Sequence, residues 1–151
     1  MVAVTGRWWR RGASDDRGAL SVELVIVAPV LIAVVLLLVA AGRIQVATTA
    51  MQSAAGAASR AASIALTSAE AEIEATEVAR TTLSQSGYLC ATLTVEVDDS
   101  GLASPLGVSG TVAVTVTCDL ALADIALPGL GGTRTFTATA LSPVDSFRER
   151  N

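Results

Sequence analysis

The chain has no histidine and no lysine, only 3% aromatic residues, and two cysteines in 151 residues. Each shortage excludes something. Without histidine, a serine or cysteine nucleophile lacks its usual base, and no cluster of side chains has the spacing of zinc ligands. Without lysine, the positive charge rests on 10 arginines, which are scattered and not gathered into the basic patch that a phosphate backbone requires. Nucleic acid is therefore not an expected partner. So few aromatics leave few of the rigid anchors that dominate tight binding sites. A phosphate-cradling loop is missing too, since Gly129, Gly131 and Gly132 follow no strand-to-helix signal. Asp98 beside Asp99 could touch a calcium ion, but a polar hairpin turn accounts for the pair. The composition reads as that of a scaffold: not an enzyme, with no metal and no cofactor.

What the chain does have is a long apolar run. Residues 24–42 carry no charge, and nineteen residues make a helix of about 28 Å at roughly 1.5 Å per residue, against a hydrocarbon core of about 30 Å. The run is apolar on every face, whereas a helix of a soluble domain keeps one polar face. A transmembrane helix is expected. Pro29 would cost about 3 kcal/mol inside a soluble helix, but membrane helices tolerate proline, so a kink near Ala28 is expected, not a break. Arg7, Arg10, Arg11 and Arg17 precede the run and only Arg43 and Arg60 follow closely. Basic flanks stay cytoplasmic, which puts the N-terminus inside and everything after Gly42 outside. Trp8 and Trp9 lie upstream, within reach of the cytoplasmic interface.

Glu23 stands at the mouth of this run. A carboxylate in a span costs about 2.5 to 3.5 kcal/mol at the bilayer centre and less near an edge, so such groups have a partner or a purpose. At a boundary it can also simply bend toward water. The residues around it narrow the choice.

The stretch Arg17-Gly18-Ala19-Leu20-Ser21-Val22-Glu23, followed by the apolar run with Pro29, resembles the class III signal of type IV pilins and pseudopilins. The order R-G-A-L-S-V-E, with A-P-V-L after it, looks most like the TadE-like branch, the minor pseudopilins of tight-adherence (Flp) pilus systems. That resemblance implies cutting by a prepilin peptidase between Gly18 and Ala19, which makes Glu23 the fifth residue of the mature chain. It implies a role for Glu23 as the assembly contact, meeting the N-terminal amine of an adjacent subunit. It also implies other pilins and inner-membrane platform proteins as partners. The physical logic stands by itself: a new ammonium at the membrane edge is tolerable only if paired. Glycine at the cut lets a protease hold the backbone closely.

Cleavage would also change the charge. The leader holds four arginines and two aspartates, so of 10 basic and 14 acidic residues six and twelve remain, a net of −6.

Beyond the run, Ile44, Thr48, Met51, Ala55, Ala58, Ala62 and Ala65 advance by alternating fours and threes, beside a second stripe of Ala47, Ala50, Ala54, Ala57 and Ala61. Small side chains let helices approach closely, so this helix is expected to pack on its own downstream domain or on neighbouring subunits. Thr67-Ser68-Ala69-Glu70 has the form of a capping box, with Glu70 reaching back to the Thr67 amide. A second helix should start there and end near Ser86, with Gly87 as its stop. Glu70, Glu74 and Glu77 share a solvated face, and Arg80 can pair with Glu77.

After Gly87 the period becomes two. Leu93, Val95 and Val97 alternate with polar residues, as do Val108, Val112, Val114 and Val116, and then residues 133–141. Turn chemistry lies at residues 98–101 and 103–107 and again at 127–132. Cys90 and Cys118 bracket the first two strands, and in an exported segment a disulfide between them is allowed. Direct pairing of the two cysteines would set Leu93 opposite Thr115, while burial asks for Val114 there. A bulge or an end-of-strand irregularity would reconcile the registers; two separately buried thiols are the other possibility.

The expected fold class is α+β. A leader at 1–18 precedes a transmembrane helix at 19–42, a helical region at 43–86 and a small antiparallel sheet of about three strands at 87–151. The localisation that follows is a bacterial cytoplasmic membrane, crossed once. Two other readings remain open at this point, an unprocessed single-span envelope protein and a secreted domain cut near Val39-Ala40-Ala41.

Overall fold

The computed structural model describes residues 16–105, 107–121 and 131–146, with side chains described from Leu24 onward. In chain order these are helix α1 (Asp16–Ile64), helix α2 (Ser68–Gln85), strand β1 (Thr92–Asp98), a single 3₁₀ turn (Ser100–Ala103), strand β2 (Gly110–Ala121) and strand β3 (Thr133–Val144). The class is α+β, as the residue pattern implies. Trp8, Trp9 and most of the 127–132 turn lie outside the described residues.

The chain divides into two compact units, the first ending at Leu37 and the second beginning at Leu38. In the first, α1 runs through Pro29 as helix, although Pro29 has no N–H to offer the carbonyl of Val25. Its apolar side chains face outward all round, with Leu24 65%, Leu31 58% and Leu37 69% exposed.

The second unit has a core of unusually small side chains. Ala47, Ala54, Ala55, Ala58 and Ala62 of α1 are completely buried, as are Ala71, Ala75 and Ala79 of α2. They pack in one cluster with Val112, Val114 and Val116 of β2. Methyl groups on the helices let the backbones come close, and the branched valines of the middle strand fill the remaining volume. So the alanine seam is spent on the chain's own domain. α2 lies over β1. The end of α1 meets β3 through a buried hydrogen bond, 3.0 Å, from Ser142 Oγ to Ser63 Oγ.

Thr67 caps α2, its hydroxyl accepting from the Glu70 amide. The return contact differs from the expected one: the Glu70 carboxylate accepts from the amide of Leu66, one residue earlier than Thr67, at 2.9 Å. At the other end Gly87 has φ 81°, a conformation that a Cβ disfavours. There the amide of Tyr88 donates to Leu83 O and that of Gly87 to Ser84 O, each at 3.0 Å. These bonds close the helix on itself.

The sheet is antiparallel in the order β1-β2-β3. Two strand limits differ from the sequence reading. β2 starts at Gly110 and continues to Ala121, because Val108 is taken into a turn in which its amide donates to Pro105 O at 3.0 Å. β3 extends to Val144 through Pro143, which fits its place at the edge of the described sheet, where sheets accept proline.

The register also corrects both options drawn from the sequence. Leu93 pairs with Cys118, Val95 with Val116 and Val97 with Val114. Leu93, Val95 and Val97 thus each oppose an apolar residue of β2, and no bulge is needed within the ladder. The same rows continue into β3, where Cys118 faces Phe136 and Val114 faces Ala140. The opposite face is a carpet of threonine. Thr115 and Thr139 share a hydrogen bond of 2.9 Å, Thr117 and Thr137 one of 3.3 Å, and Thr135 donates to Asp119 Oδ1 at 2.5 Å.

Candidate functional site

The chemistry anticipated at the membrane edge falls on the first turns of α1. Gly18, Ala19 and Glu23 are all helical there, and their side-chain surroundings lie outside the described residues. Immediately after them, residues 24–39 expose apolar groups on every side of the helix. Bare apolar surface of that extent is far beyond the few hundred Å² that soluble monomers show. The helix is long and apolar enough to cross a membrane.

In the second unit, Cys90 and Cys118 are joined in a disulfide with their Cα atoms 5.4 Å apart. Cys118 occupies the core face of β2, whereas Cys90 precedes β1 and is half-buried. The bridge therefore runs obliquely past the end of the ladder, which is why the strand register need not place the cysteines opposite each other. The amide of Ala91, beside Cys90, donates to Asp119 O at 2.9 Å and holds this approach in place.

Among the described residues no group of three or more cysteines and carboxylates could hold a metal ion. Hydrogen bonding from Ser100, its hydroxyl first and then its amide, holds Asp98 below the usual 3.8, the amide lying 3.1 Å from Asp98 Oδ1. This is turn chemistry, with Asp98 fixing the 3₁₀ turn that follows β1.

Two of the surface depressions among the described residues take in Tyr88. One, of about 310 Å³, is lined by Arg80, Ser84, Tyr88, Leu89 and Cys90 among others. The other, about 500 Å³ and shallow, lies between residues 42–53 of α1 and Ser86 with Tyr88. Neither sets a nucleophile beside a base. Arg80, read from helical spacing as able to pair with Glu77, lines the first depression. Its role was not legible because the return of the chain past Gly87, which carries Tyr88 and Cys90 alongside α2, is set by the αL residue and not by any periodicity. The Ser63–Ser142 contact was likewise missed. Its signal was the serine at a core-facing position of each element.

The geometry so far is that of a bare apolar helix joined in sequence to a small stapled domain, with no reaction centre among the described residues. Residues 18–60 match the family model described as TadE-like protein. The matched segment begins at Gly18 and contains Ala19, Glu23, Pro29, the whole uncharged run and most of the alanine seam. The likeness drawn from the Arg17 to Glu23 stretch is thereby shown for this TadE-like segment. Searches of curated proteins and of solved structures each found no match.

Proposed function

We propose that this chain is a minor pseudopilin of a tight-adherence (Flp) type IV-like pilus machine, acting by assembly and not by turnover. The observation that carries the reading is the TadE-like match, which supports a pilus-associated component and opens on the Gly18-Ala19 junction. In this scheme a prepilin peptidase cuts after Gly18, removing the leader at 1–18. The mature chain then consists of the span at 19–42, the helical region at 43–86 and the sheet region at 87–151. The new Ala19 ammonium and the Glu23 carboxylate neutralise one another between neighbouring subunits, because each alone at the rim of the lipid is costly. Pro29 sits within the span, where a kink near Ala28 can be absorbed by adjacent helices.

Orientation follows the basic flank, with the N-terminus inside and the stapled domain outside. The disulfide supports the same topology, since such bonds persist in oxidising compartments and are rare in the cytosol. Partners in this reading are the peptidase, other pilins and platform proteins of the inner membrane.

Intact mass of the protein recovered from cells tests the reading directly. A chain starting at Ala19 is expected; a chain starting at Met1 would leave an unprocessed single-span envelope protein, and one starting near Gly42 a secreted domain. In a second arm, Glu23→Ala is expected to insert into the membrane normally while its recovery in assembled pili falls. Undiminished recovery removes the assembly role of Glu23.

A further inference from the structure

Cys90 and Cys118 share one bond but occupy different surroundings. Cys118 is completely buried on the middle strand, in the row between Leu93 and Phe136. No incoming group reaches its sulfur without opening the sheet. Cys90 is half-buried and lines the depression of about 310 Å³ together with Arg80, Ser84, Tyr88 and Leu89, and Cys118 is not part of that lining. Leu89, next to Cys90, is 78% exposed.

We propose that Cys90 Sγ is the thiol-exchange site of this protein, the atom through which a dithiol oxidoreductase makes or breaks the Cys90–Cys118 bond. On oxidation the Cys90 thiolate attacks the disulfide of the oxidised partner; one S–S bond forms as another breaks, and the partner's second sulfur leaves as a thiolate. The Cys118 thiolate then attacks Cys90 Sγ, forming the internal bridge and releasing the partner as a dithiol. Two electrons pass from the two cysteines to the partner, and their two thiol protons are balanced by those the partner's thiolates take up. The thiolate is the reactive form, and a neighbouring cation favours it, which is the contribution of Arg80. Exchange also depends on which sulfur can be approached, and here that is Cys90 alone. Exposed Leu89 and half-buried Tyr88 give a partner's peptide an apolar surface beside the sulfur. The identity of the partner rests on the outside orientation proposed above; the reactivity of Cys90 does not.

The test uses the full-length chain in detergent, native and with its bridge intact, exposed to biotinylated glutathione. Peptide mapping of the mixed disulfide is expected to find the tag on Cys90 over Cys118 by about tenfold or more. Equal tagging, or tagging of Cys118 first, overturns the proposal. The parent chain needs no variant to fold; as a second check, native Cys118→Ala is expected to take up glutathione from its disulfide form, and native Cys90→Ala only after denaturation. An adduct on Cys118 in native Cys90→Ala overturns the assignment. In Cys118→Ala, adding Arg80→Gln should slow adduct formation at neutral pH and move its pH profile upward; an unmoved profile sinks the role given to Arg80. None of these outcomes depends on leader cleavage, so the exchange site and the pilus reading fail separately.

Discussion

Leu93 faces Cys118 across the β1–β2 ladder, three positions beyond the cysteine to which Cys118 is bonded. Two demands meet at Cys118. Its backbone position is fixed by the apolar row Leu93, Cys118, Phe136, and its sulfur is claimed by a residue that precedes the strand. The strand register is thus decided by burial and the bridge accommodates it. The bridge anchors the segment after Gly87, which is not itself strand, to the middle of the sheet.

Removing the bridge with Cys90→Ser and Cys118→Ala together should leave the strand register intact and lower stability. In the chain-entropy model a closure between residues 28 apart contributes about 3.5 kcal/mol. Denaturant unfolding of the full-length protein measures the difference. A loss smaller than about 0.5 kcal/mol would show that the apolar rows alone hold this end of the sheet.

Gly101 and Gly110 bring two backbones into direct contact. A Cβ on Gly101 would collide with the backbone of Thr111, and one on Gly110 with the carbonyl of Gly101. Rigid main chain cannot move aside as a flexible side chain would. Gly101→Ala and Gly110→Ala are each expected to cost at least the 1 to 3 kcal/mol typical of overpacking, read as a lowered melting temperature. Gly131→Ala, where a Cβ meets nothing within 4 Å, is the control and should change little.

Much of this domain could be read from alternation and helical spacing. The parity of β2 put Val112, Val114, Val116 and Cys118 on one face, and all four are completely buried. Parity alone does not set register, however. Val95 could have faced any inward residue of β2, and the choice was made by the full overlap of Leu93, Val95 and Val97 with the middle strand, a property of both strands together. The Glu70 return contact was off by one residue for a related reason, since a capping box fixes the spacing of side chains but not the path of the chain entering the helix. At the membrane edge, Gly18, Ala19 and Glu23 belong to a linear motif that needs no fold to be recognised, and the roles proposed for them rest on that motif and on the match that begins at Gly18.

Capping of α2 offers a smaller, cleaner test. Thr67→Ala deletes the acceptor of the Glu70 amide and is expected to destabilise by about 1 kcal/mol. Glu70→Gln keeps a hydrogen-bonding oxygen for Leu66 while removing the charge that favours a helix N-terminus, a loss of about 0.3 to 1 kcal/mol that salt should screen. Salt-independence of that second loss would contradict the dipole account.

Asp98 gives a pH dependence with a definite sign. Its folded pKa is depressed below 3.8 by Ser100, so the unfolded state binds its proton first as pH falls. The contribution to stability is complete above the unfolded value and is lost as pH drops through the lower, folded one. Ser100→Ala removes the larger of the two Ser100 bonds and should raise the Asp98 pKa toward 3.8, visible by NMR titration of the carboxylate. A pKa that stays put would assign the depression to the backbone amide alone.

The alanine seam decides between a helix reserved for other subunits and one spent on its own domain. Ala58 is 0% exposed in the cluster that joins α1, α2 and β2, while its neighbour Ala57 is only half-buried. Three added carbons at Ala58 have no volume to enter, since interiors are packed as densely as organic crystals. Ala58→Leu should therefore cost about 1 to 3 kcal/mol in the isolated, detergent-solubilised monomer, and Ala57→Leu much less. Were the seam kept for neighbouring subunits, the Ala58 variant would melt like the parent as a monomer and fail only in assembly. Thermal unfolding of both variants, followed by circular dichroism in monomeric preparations, separates the two cases without a pilus being formed.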